Sequence, residues 1–168
     1  MKSVFCAFFA AFVLVACGFQ LRGSELSALP YQSILIDLDP NSELYLWLTR
    51  YIQSLGTTEI VHNHESAQAI FTQIKNERQK NILSLDSQGR VKEYRLEVDY
   101  AFQVKNQAGQ VIVPSHEITL TRDISHSDDT LLAKESEEAI LWRDMYQDLS
   151  NQILRQLSLT QPTAPVEE

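Results

Sequence analysis

The feature that most constrains the fold is a two-residue alternation in EYRLEVDYAFQVK, residues 93–105. Large apolar side chains occupy every even position from Tyr94 to Val104, and polar side chains hold the odd positions, with Ala101 as the exception. Because successive side chains of a β-strand point to opposite faces, this pattern predicts a long antiparallel strand. The segment therefore predicts a sheet with one face on a core and the other in water.

The segment before this strand carries a strand signal and then a helix signal. SILIDL, residues 33–38, predicts a first strand. Asp39 suits a helix N-cap, Pro40 suits the first helical position, and Gly56 suits the end of that helix. The apolar side chains between these residues have helical spacing: Leu44, Leu48, Tyr51, Ile52 and Leu55.

Turn signals divide the β region into separate strands. A short strand at residues 59–61 precedes a longer one that begins at Ala69. LDSQGR, residues 85–90, and NQAG, residues 106–109, carry Asp, Asn and Gly at turn positions and predict two hairpin tips. A further strand continues through residues 118–124. The pattern predicts four or five strands.

A long helix closes the predicted domain, and Asp128 and Asp129 suit its start. Its apolar stripe is Ala139, Trp142, Tyr146, Leu149, Ile153 and Leu157, with Met145 at the edge. The order of elements predicts an α+β fold, in which a mainly antiparallel four- or five-stranded sheet has two helices packed on one face. We expect this domain to span residues 31–158 and a disordered tail to occupy residues 159–168.

The N-terminal apolar run, residues 4–15, has the length of a signal peptide and is shorter than the roughly 20 residues that a membrane-spanning helix needs. LVAC, residues 14–17, resembles the lipobox of bacterial lipoproteins. This resemblance implies cleavage after Ala16, a diacylglycerol on the sulfur of Cys17, and a fatty acyl chain on the new amino group. The alternative is an ordinary signal peptide that ends at a buried cysteine.

The residues around this cysteine also predict a location. Gly18 stands where an inner-membrane retention signal would typically have Asp, so the resemblance implies lipid anchoring in the outer membrane. We expect a lipoprotein signal peptide at residues 1–16 and a lipidated tether at residues 17–30. Because the other cysteine, Cys6, lies in the signal peptide, the chain has no cysteine after Cys17 for a disulfide or a thiolate metal site.

Charge argues against one class of partner and leaves another open. The net charge of −8 argues against duplex nucleic acid, whose binding depends on neutralised phosphates. Residues 75–95 carry six basic and three acidic side chains, whereas acidic side chains predominate from Asp123 onward. These segments are either solvated faces or the two poles of a domain whose hairpin tip meets an anionic ligand.

The histidines do not form a convincing catalytic or metal-binding pattern. His62 and His64 are two residues apart, but no further ligands follow at a suitable spacing. The pairs that could suggest a hydrolase are Ser115 with His116 and Ser125 with His126, with Asp123 or Asp128 as the orienting acid. Neighbouring residues of a strand point to opposite faces, which separates a nucleophile from its base. We therefore expect no catalytic residue, metal or cofactor.

Three segments together resemble one family. They are CGFQLRG at residues 17–23, KEYRLEVDYAFQV at residues 92–104, and LTRDISHSDDTLLAKESEEAILWRDMYQDLSNQILRQL at residues 120–157. Each segment is a weak match by itself, but their order and spacing are specific. The sequence resembles the LPS-assembly lipoprotein LptE family.

This resemblance implies an outer-membrane lipoprotein that plugs the LptD β-barrel and binds lipopolysaccharide (LPS) in the last step of its export. The family's basic LPS contacts have no direct counterpart, because Ser87 and Thr119 stand near those places. The nearby candidates for LPS contact are Arg90, Lys92 and Arg122. Two alternatives are an auxiliary lipoprotein of an ABC-type envelope lipid transporter and, less favoured, a lipoprotein hydrolase.

Overall fold

The computed structural model describes residues 28–126 and 131–159, without the side chains of residues 131 and 132. Its elements, in chain order, are β1 Ser33–Asp37, α1 Glu43–Leu55, β2 Glu59–Ile60, a 3₁₀ turn His64–Ser66, β3 Ala69–Leu85, β4 Val91–Lys105, β5 Val111–Ser125 and α2 Leu131–Leu159. The predicted α+β fold, with two helices and a mainly antiparallel sheet, is confirmed.

The five strands form one mixed sheet in the order β2-β1-β3-β4-β5. The two short pairs, β1 with β2 and β1 with β3, are parallel, whereas the long pairs β3 with β4 and β4 with β5 are antiparallel. β1 pairs with β3 only as far as Thr72, so the rest of β3 has β4 as its one strand neighbour within the described residues. The pairing with β4 also skips Ile74 and Leu83, which bulge out of the ladder.

The alternation in β4 places its apolar side chains where the sequence predicts. Leu96, Val98, Tyr100, Phe102 and Val104 are all at most 1% exposed. Apolar side chains of both helices cover this face and share one cluster with it: Leu44, Leu48 and Ile52 from α1, and Trp142, Met145, Tyr146, Leu149, Ile153, Leu154 and Leu157 from α2. Burial of this shared face holds the helices on the sheet.

The predicted stripe on α2 is wrong at two positions. Ala139 is exposed, whereas Met145 is fully buried rather than at the edge. Ala139 is exposed because the buried apolar face of α2 begins only at Trp142. In the preceding turn Glu138 pairs with Lys80 of β3, so this turn contacts the sheet through charged side chains.

The predicted start of α1 is also wrong, by three residues. Ser42 is the N-cap, and its hydroxyl oxygen accepts a hydrogen bond from the backbone N–H of Tyr45. Asp39 instead uses its carboxylate to close a turn, in which Oδ1 accepts from the backbone N–H of Asn41 at 2.9 Å. The predicted end is confirmed, since Gly56 adopts a left-handed φ of 65° that favours glycine.

Several predictions concern residues outside the described part of the chain. They are the signal peptide at 1–16, lipidation of Cys17, most of the tether at 17–30, the Asp128 and Asp129 cap, and the tail after Leu159. Over the described residues, neither helix combines the length and the apolar character that crossing a membrane requires.

Candidate functional site

The β3–β4 hairpin ends in a turn that Asp86 organises. Its Oδ1 accepts hydrogen bonds from the backbone N–H groups of Gln88 at 2.8 Å and Arg90 at 2.9 Å. Its Oδ2 lies 2.8 Å from Nε of Arg90. The backbone hydrogen bond from Arg90 is the main reason that the pKa of Asp86 lies below its usual value. Gly89 supplies the positive φ of 78° that this turn needs.

The hairpin tip combines apolar and basic side chains. Ile82 and Leu85 are 60% and 55% exposed, and Leu83 beside them is 39% exposed. Arg90 and Lys92 are exposed at the same end of the hairpin. Exposed aliphatic groups beside cations form a surface that suits an amphiphile with an anionic head.

A cavity of about 100 Å³ lies next to this tip, between the sheet and the first turns of α2. Its lining residues are Lys80, Tyr94, Ile124, Ser125, His126, Lys134, Glu135 and Glu138. The sheet register connects the cavity to the tip, because Tyr94 of the lining pairs with the exposed Ile82. The tip and the cavity therefore form one continuous candidate site, which we call the tip site.

Two lysines bring positive charge to the cavity from different elements. Lys80 on β3 has its Nζ 2.6 Å from Oε2 of Glu138 and 4.4 Å from the centre of the Tyr94 ring. Lys134 on α2 donates from Nζ to Oγ of Ser125 at 2.9 Å and lies 2.8 Å from Oε2 of Glu137. Carboxylates of a single helical turn thus neutralise both cations.

Opposing effects act on the Glu138 carboxyl. Burial raises its pKa, whereas hydrogen bonds from Lys80 and from the indole N–H of Trp142 lower it, as do the nearby charges of Lys80 and Arg78. The net result is a pKa below the usual value of a glutamate. Glu138 is therefore ionised at neutral pH and takes part in the charge balance of the cavity.

The basic segment of β3 faces α2 as well as solvent. The guanidinium carbon of Arg78 lies 4.3 Å from the centre of the Trp142 ring and 5.6 Å from that of Tyr146. The hydroxyl of Tyr146 donates to Oδ1 of Asn76 at 2.8 Å. These polar and cation–π contacts continue the interface between sheet and helix beyond the apolar core.

The three predicted LPS contacts have different surroundings. Arg90 is paired with Asp86, and Lys92 extends from the first residues of β4. Arg122 is on β5, where it pairs with the Asp148 carboxylate of α2. The structure therefore brings Arg90 and Lys92 together at the tip and places Arg122 against the helix.

Sequence reasoning missed Lys80 and Lys134, the two cations of the cavity. Lys80 is in the charged segment KNERQK. The bulge at Ile74 breaks the alternation of β3, so the sequence does not show which face of the sheet carries the Lys80 side chain. Lys134 is distant in sequence, and only the docking of α2 brings it to the sheet. Lys134 lies in segment 120–157, which resembles the LptE family, but no sequence periodicity marks it as a site residue.

The histidines have separate surroundings. His62 and His64 are exposed in the connection before β3. The ring of His116 packs against Phe102, and that of His126 packs edge-on against Tyr94 at a centroid distance of 5.4 Å. Over residues 28–126 and 131–159, no group of three His, Cys, Asp or Glu side chains is arranged to hold a metal ion.

A protein-family model for LptE, described as lipopolysaccharide-assembly, matches residues 31–157. This chain belongs to the LptE family. The match covers every described strand and helix apart from the last two residues of α2. The family's role is LPS assembly, which is a transport function and not an enzymatic reaction.

Solved structures support this assignment. The solution NMR structure of an uncharacterized lipoprotein B from Nitrosomonas europaea is 34% identical in sequence and superposes with a TM-score of 0.71. That alignment covers 84% of this chain and 90% of the Nitrosomonas chain. Among curated protein sequences, none matches the chain.

Two crystal structures share the fold at lower identity. A minor lipoprotein from Acinetobacter baumannii is 22% identical, with a TM-score of 0.65 over 77% of this chain and 92% of the other. The rare lipoprotein B from Shewanella oneidensis is 23% identical, with a TM-score of 0.64 over 74% of this chain and 92% of the other. The architecture of this LptE member is therefore shared with lipoproteins of three bacteria.

Proposed function

We propose that this LptE member is an outer-membrane lipoprotein that binds LPS and plugs and helps assemble the LptD β-barrel. In this role it assists the insertion of LPS into the outer leaflet. The family assignment supports the LPS-assembly role. The observation that carries LPS binding is the tip site, where the exposed Ile82 and Leu85 adjoin a cavity containing Lys80 and Lys134.

The chemistry of LPS matches this site. Its lipid A part carries phosphates next to acyl chains, so it needs cations and apolar surface close together. Lysine and arginine bind phosphate by charge-assisted hydrogen bonds. Arg90 and Lys92 extend the cationic surface to the hairpin tip, while Leu85 supplies an apolar contact beside them. Arg122 is the third proposed contact. A phosphate that binds there would displace the Asp148 carboxylate from its ion pair with Arg122.

The open face of the sheet supports a role as a plug. Arg95 binds the Asp123 carboxylate in a bidentate pair, with N–O distances of 2.8 and 3.0 Å. Asp99 accepts a hydrogen bond from Thr119 at 2.7 Å and lies 3.5 Å from Nζ of Lys75. Because these groups are polar and solvated, this face suits the wall of a wide aqueous lumen such as that of LptD.

The proposed anchor is compatible with the start of the domain. Leu29 and Tyr31 are already buried in the core, at 6% and 3% exposure. The segment from a lipidated Cys17 to Leu29 spans at most about 40 Å when fully extended. Two or three acyl chains on Cys17 would hold the domain firmly at the membrane surface. The domain would therefore act within about 40 Å of the lipid.

Co-purification tests the partner. The full lipoprotein is extracted in mild detergent from whole cell envelopes, which contain both membranes, and we expect one large β-barrel protein, LptD, to elute with it. Recovery with an inner-membrane ABC-type transporter instead would contradict the proposal and favour the auxiliary-lipoprotein alternative. Labelling of cells with radioactive palmitate tests the anchor, since we expect wild type to carry the label and Cys17→Ala to lack it.

LPS binding is tested with matched triple variants of the purified full lipoprotein. The first replaces the three proposed LPS contacts, Arg90, Lys92 and Arg122, with Gln, and the control replaces Lys105, Arg143 and Arg155 with Gln. Both variants remove three positive charges, so a non-specific charge effect would be equal in the two. We expect LPS affinity to fall in the first variant and to stay near wild type in the control. Intact LPS binding in the first variant would overturn the contact assignment.

A further inference from the structure

The cavity of the tip site already holds an anion supplied by the protein itself. The Glu138 carboxylate lies 2.6 Å from Nζ of Lys80 and accepts a hydrogen bond from Nε1 of Trp142 at 3.2 Å. Its side chain is 24% exposed, compared with 49% for Glu137, which pairs with Lys134 on the same helical turn. Glu138 is therefore the more enclosed of the two carboxylates.

The part of α2 that carries Glu138 is attached to the sheet differently from the rest of the helix. From Trp142 onward the helix buries apolar side chains in the core. Residues 133–141 are exposed or half-buried, and Leu141 at their end packs partly against the core. Their contacts with the sheet include the ion pair of Glu138 with Lys80 and the hydrogen bond of Lys134 with Ser125. Polar contacts at a half-exposed surface are weak compared with apolar burial. This first part of α2 can therefore separate from the sheet while the core stays intact.

We propose that Glu138 occupies the place of the ligand's anionic group and that a phosphomonoester displaces it from Lys80, which releases α2 residues 133–141 from the sheet. This inference rests on the proposed LPS-binding function of the same site and adds a ligand class and a coupled movement. Glu138 acts as an internal competitor, because an incoming anion must displace its carboxylate from Lys80.

The charge of the competitor explains the choice of ligand class. A carboxylate carries one negative charge, whereas a phosphomonoester carries about −1.5 to −2 at pH 7 together with three strong acceptor oxygens. A phosphodiester carries one negative charge and gains no electrostatic advantage over Glu138. Displacing Glu138 costs the same for either ligand, so the preference for phosphomonoesters comes from their greater charge next to Lys80, and removal of the carboxylate should raise the affinity for both ligands.

The binding test uses the full lipoprotein in detergent, with three probes: micelles containing phosphatidic acid, micelles containing phosphatidylglycerol, and free inorganic phosphate. The first lipid is a phosphomonoester and the second a phosphodiester, while free phosphate separates headgroup recognition from recognition of the lipid. We expect wild type to prefer phosphatidic acid. Glu138→Gln should raise the affinity for both lipids about fivefold, the factor that corresponds to ~1 kcal/mol for a half-exposed ion pair, because neither lipid then has to displace the carboxylate.

Glu117→Gln is the matched control, because Glu117 is exposed on β5 outside the cavity and the substitution removes the same charge. We expect its binding to resemble wild type. Equal gains in the Glu117 and Glu138 variants would show that net charge alone is responsible and would overturn the inference. Equal affinity of wild type for the two lipids would also overturn it. Binding of free phosphate with the same competition would assign the site to the phosphate group alone, whereas micelle-only binding would assign it to the lipid headgroup.

Hydrogen exchange supplies a second readout that does not depend on a variant. We expect phosphatidic acid micelles to reduce protection of the backbone amides of residues 133–141 and to leave those of residues 145–157 protected. Unchanged protection on saturation with the lipid would overturn the release of the helix. Failure of the proposed function can be distinguished from failure of this inference. In the first case, the hydrogen-exchange response to phosphatidic acid would persist while LPS itself fails to bind.

Discussion

Arg122 on β5 and Asp148 on α2 form an ion pair that joins the last strand of the sheet to the C-terminal helix. Both side chains are more than two-fifths exposed, so we expect the pair to contribute at most ~1 kcal/mol to stability. Arg122→Gln and Asp148→Asn each break the pair, but only the first removes the cation.

These two variants separate an LPS contact from a structural role. We expect both to lower the free energy of unfolding by a similar small amount, measured by urea denaturation. LPS affinity of the full lipoprotein should fall in Arg122→Gln and stay constant or rise in Asp148→Asn, which leaves Arg122 available. An equal fall in both variants would show that Arg122 acts through the position of α2.

The end of α2 offers a matched pair for measuring how much the core contributes to stability. Leu157 is 1% exposed and Leu159 is 77% exposed, two residues apart on the same helix. We expect Leu157→Ala to lower the free energy of unfolding by about 2–5 kcal/mol, because it removes buried methyl groups and leaves a cavity. Leu159→Ala should change it by less than about 0.5 kcal/mol. Comparable losses in thermal or urea denaturation would contradict the docking of this last turn.

The bidentate pair of Arg95 and Asp123 predicts part of the acid sensitivity. The hydrogen bond and charge of Arg95 hold the pKa of Asp123 below its ordinary value. Asp123 therefore makes its full contribution to the free energy of unfolding above its unfolded pKa of about 3.9. This contribution is lost as the pH falls through the lower pKa that Asp123 has in the folded state. Asp123→Asn should lose less stability than wild type between pH 6 and pH 2, measured from urea midpoints. Arg95→Gln should flatten the same profile, and an unchanged profile in both variants would count against the pair.

Alanine variants of the two hairpin glycines distinguish a loss of stability by turn strain from a change in the geometry of the LPS site. Gly89 at the tip and Gly109 in the β4–β5 turn have φ values of 78° and 81°, and a Cβ at either position would meet open space. Alanine at either glycine should therefore cost about 1 kcal/mol through the left-handed backbone alone, and asparagine should cost less. We expect Gly89→Ala to weaken LPS binding and Gly109→Ala to leave it unchanged. Equal binding by the two would mean that the tip turn does not shape the site.

Local patterns predicted most of the fold. The alternation in β4 predicts its buried face because every second side chain meets the core, and Gly56 predicts the end of α1 because its φ is positive. The start of α1 was misplaced because Asp39 and Ser42 are both good caps, and the turn that decides between them depends on hydrogen bonds that spacing does not reveal. Burial of Met145 likewise depends on where α2 meets the sheet.

The candidate site was only partly predictable, because its charges are set by contacts between distant residues. Arg90 and Lys92 follow a turn that the sequence marks clearly, so their place at the hairpin tip could be inferred. Lys80 and Glu138 are 58 residues apart, and nothing local shows that they meet. The bulges at Ile74 and Leu83 also change which face of the sheet the β3 side chains are on. From its sequence alone, the segment between the bulges therefore resembles a uniformly solvent-exposed strand.

The length of β3 beyond its pairing with β1 has a consequence for the isolated chain. From Gln73 to Leu85, one side of this strand presents backbone hydrogen-bonding groups that no other described strand satisfies. Such an edge invites a second copy to add on and start an aggregate. The bulges at Ile74 and Leu83 and the charges of Lys75 and Lys80 are the devices by which proteins discourage that addition. This edge therefore has built-in protection against self-association.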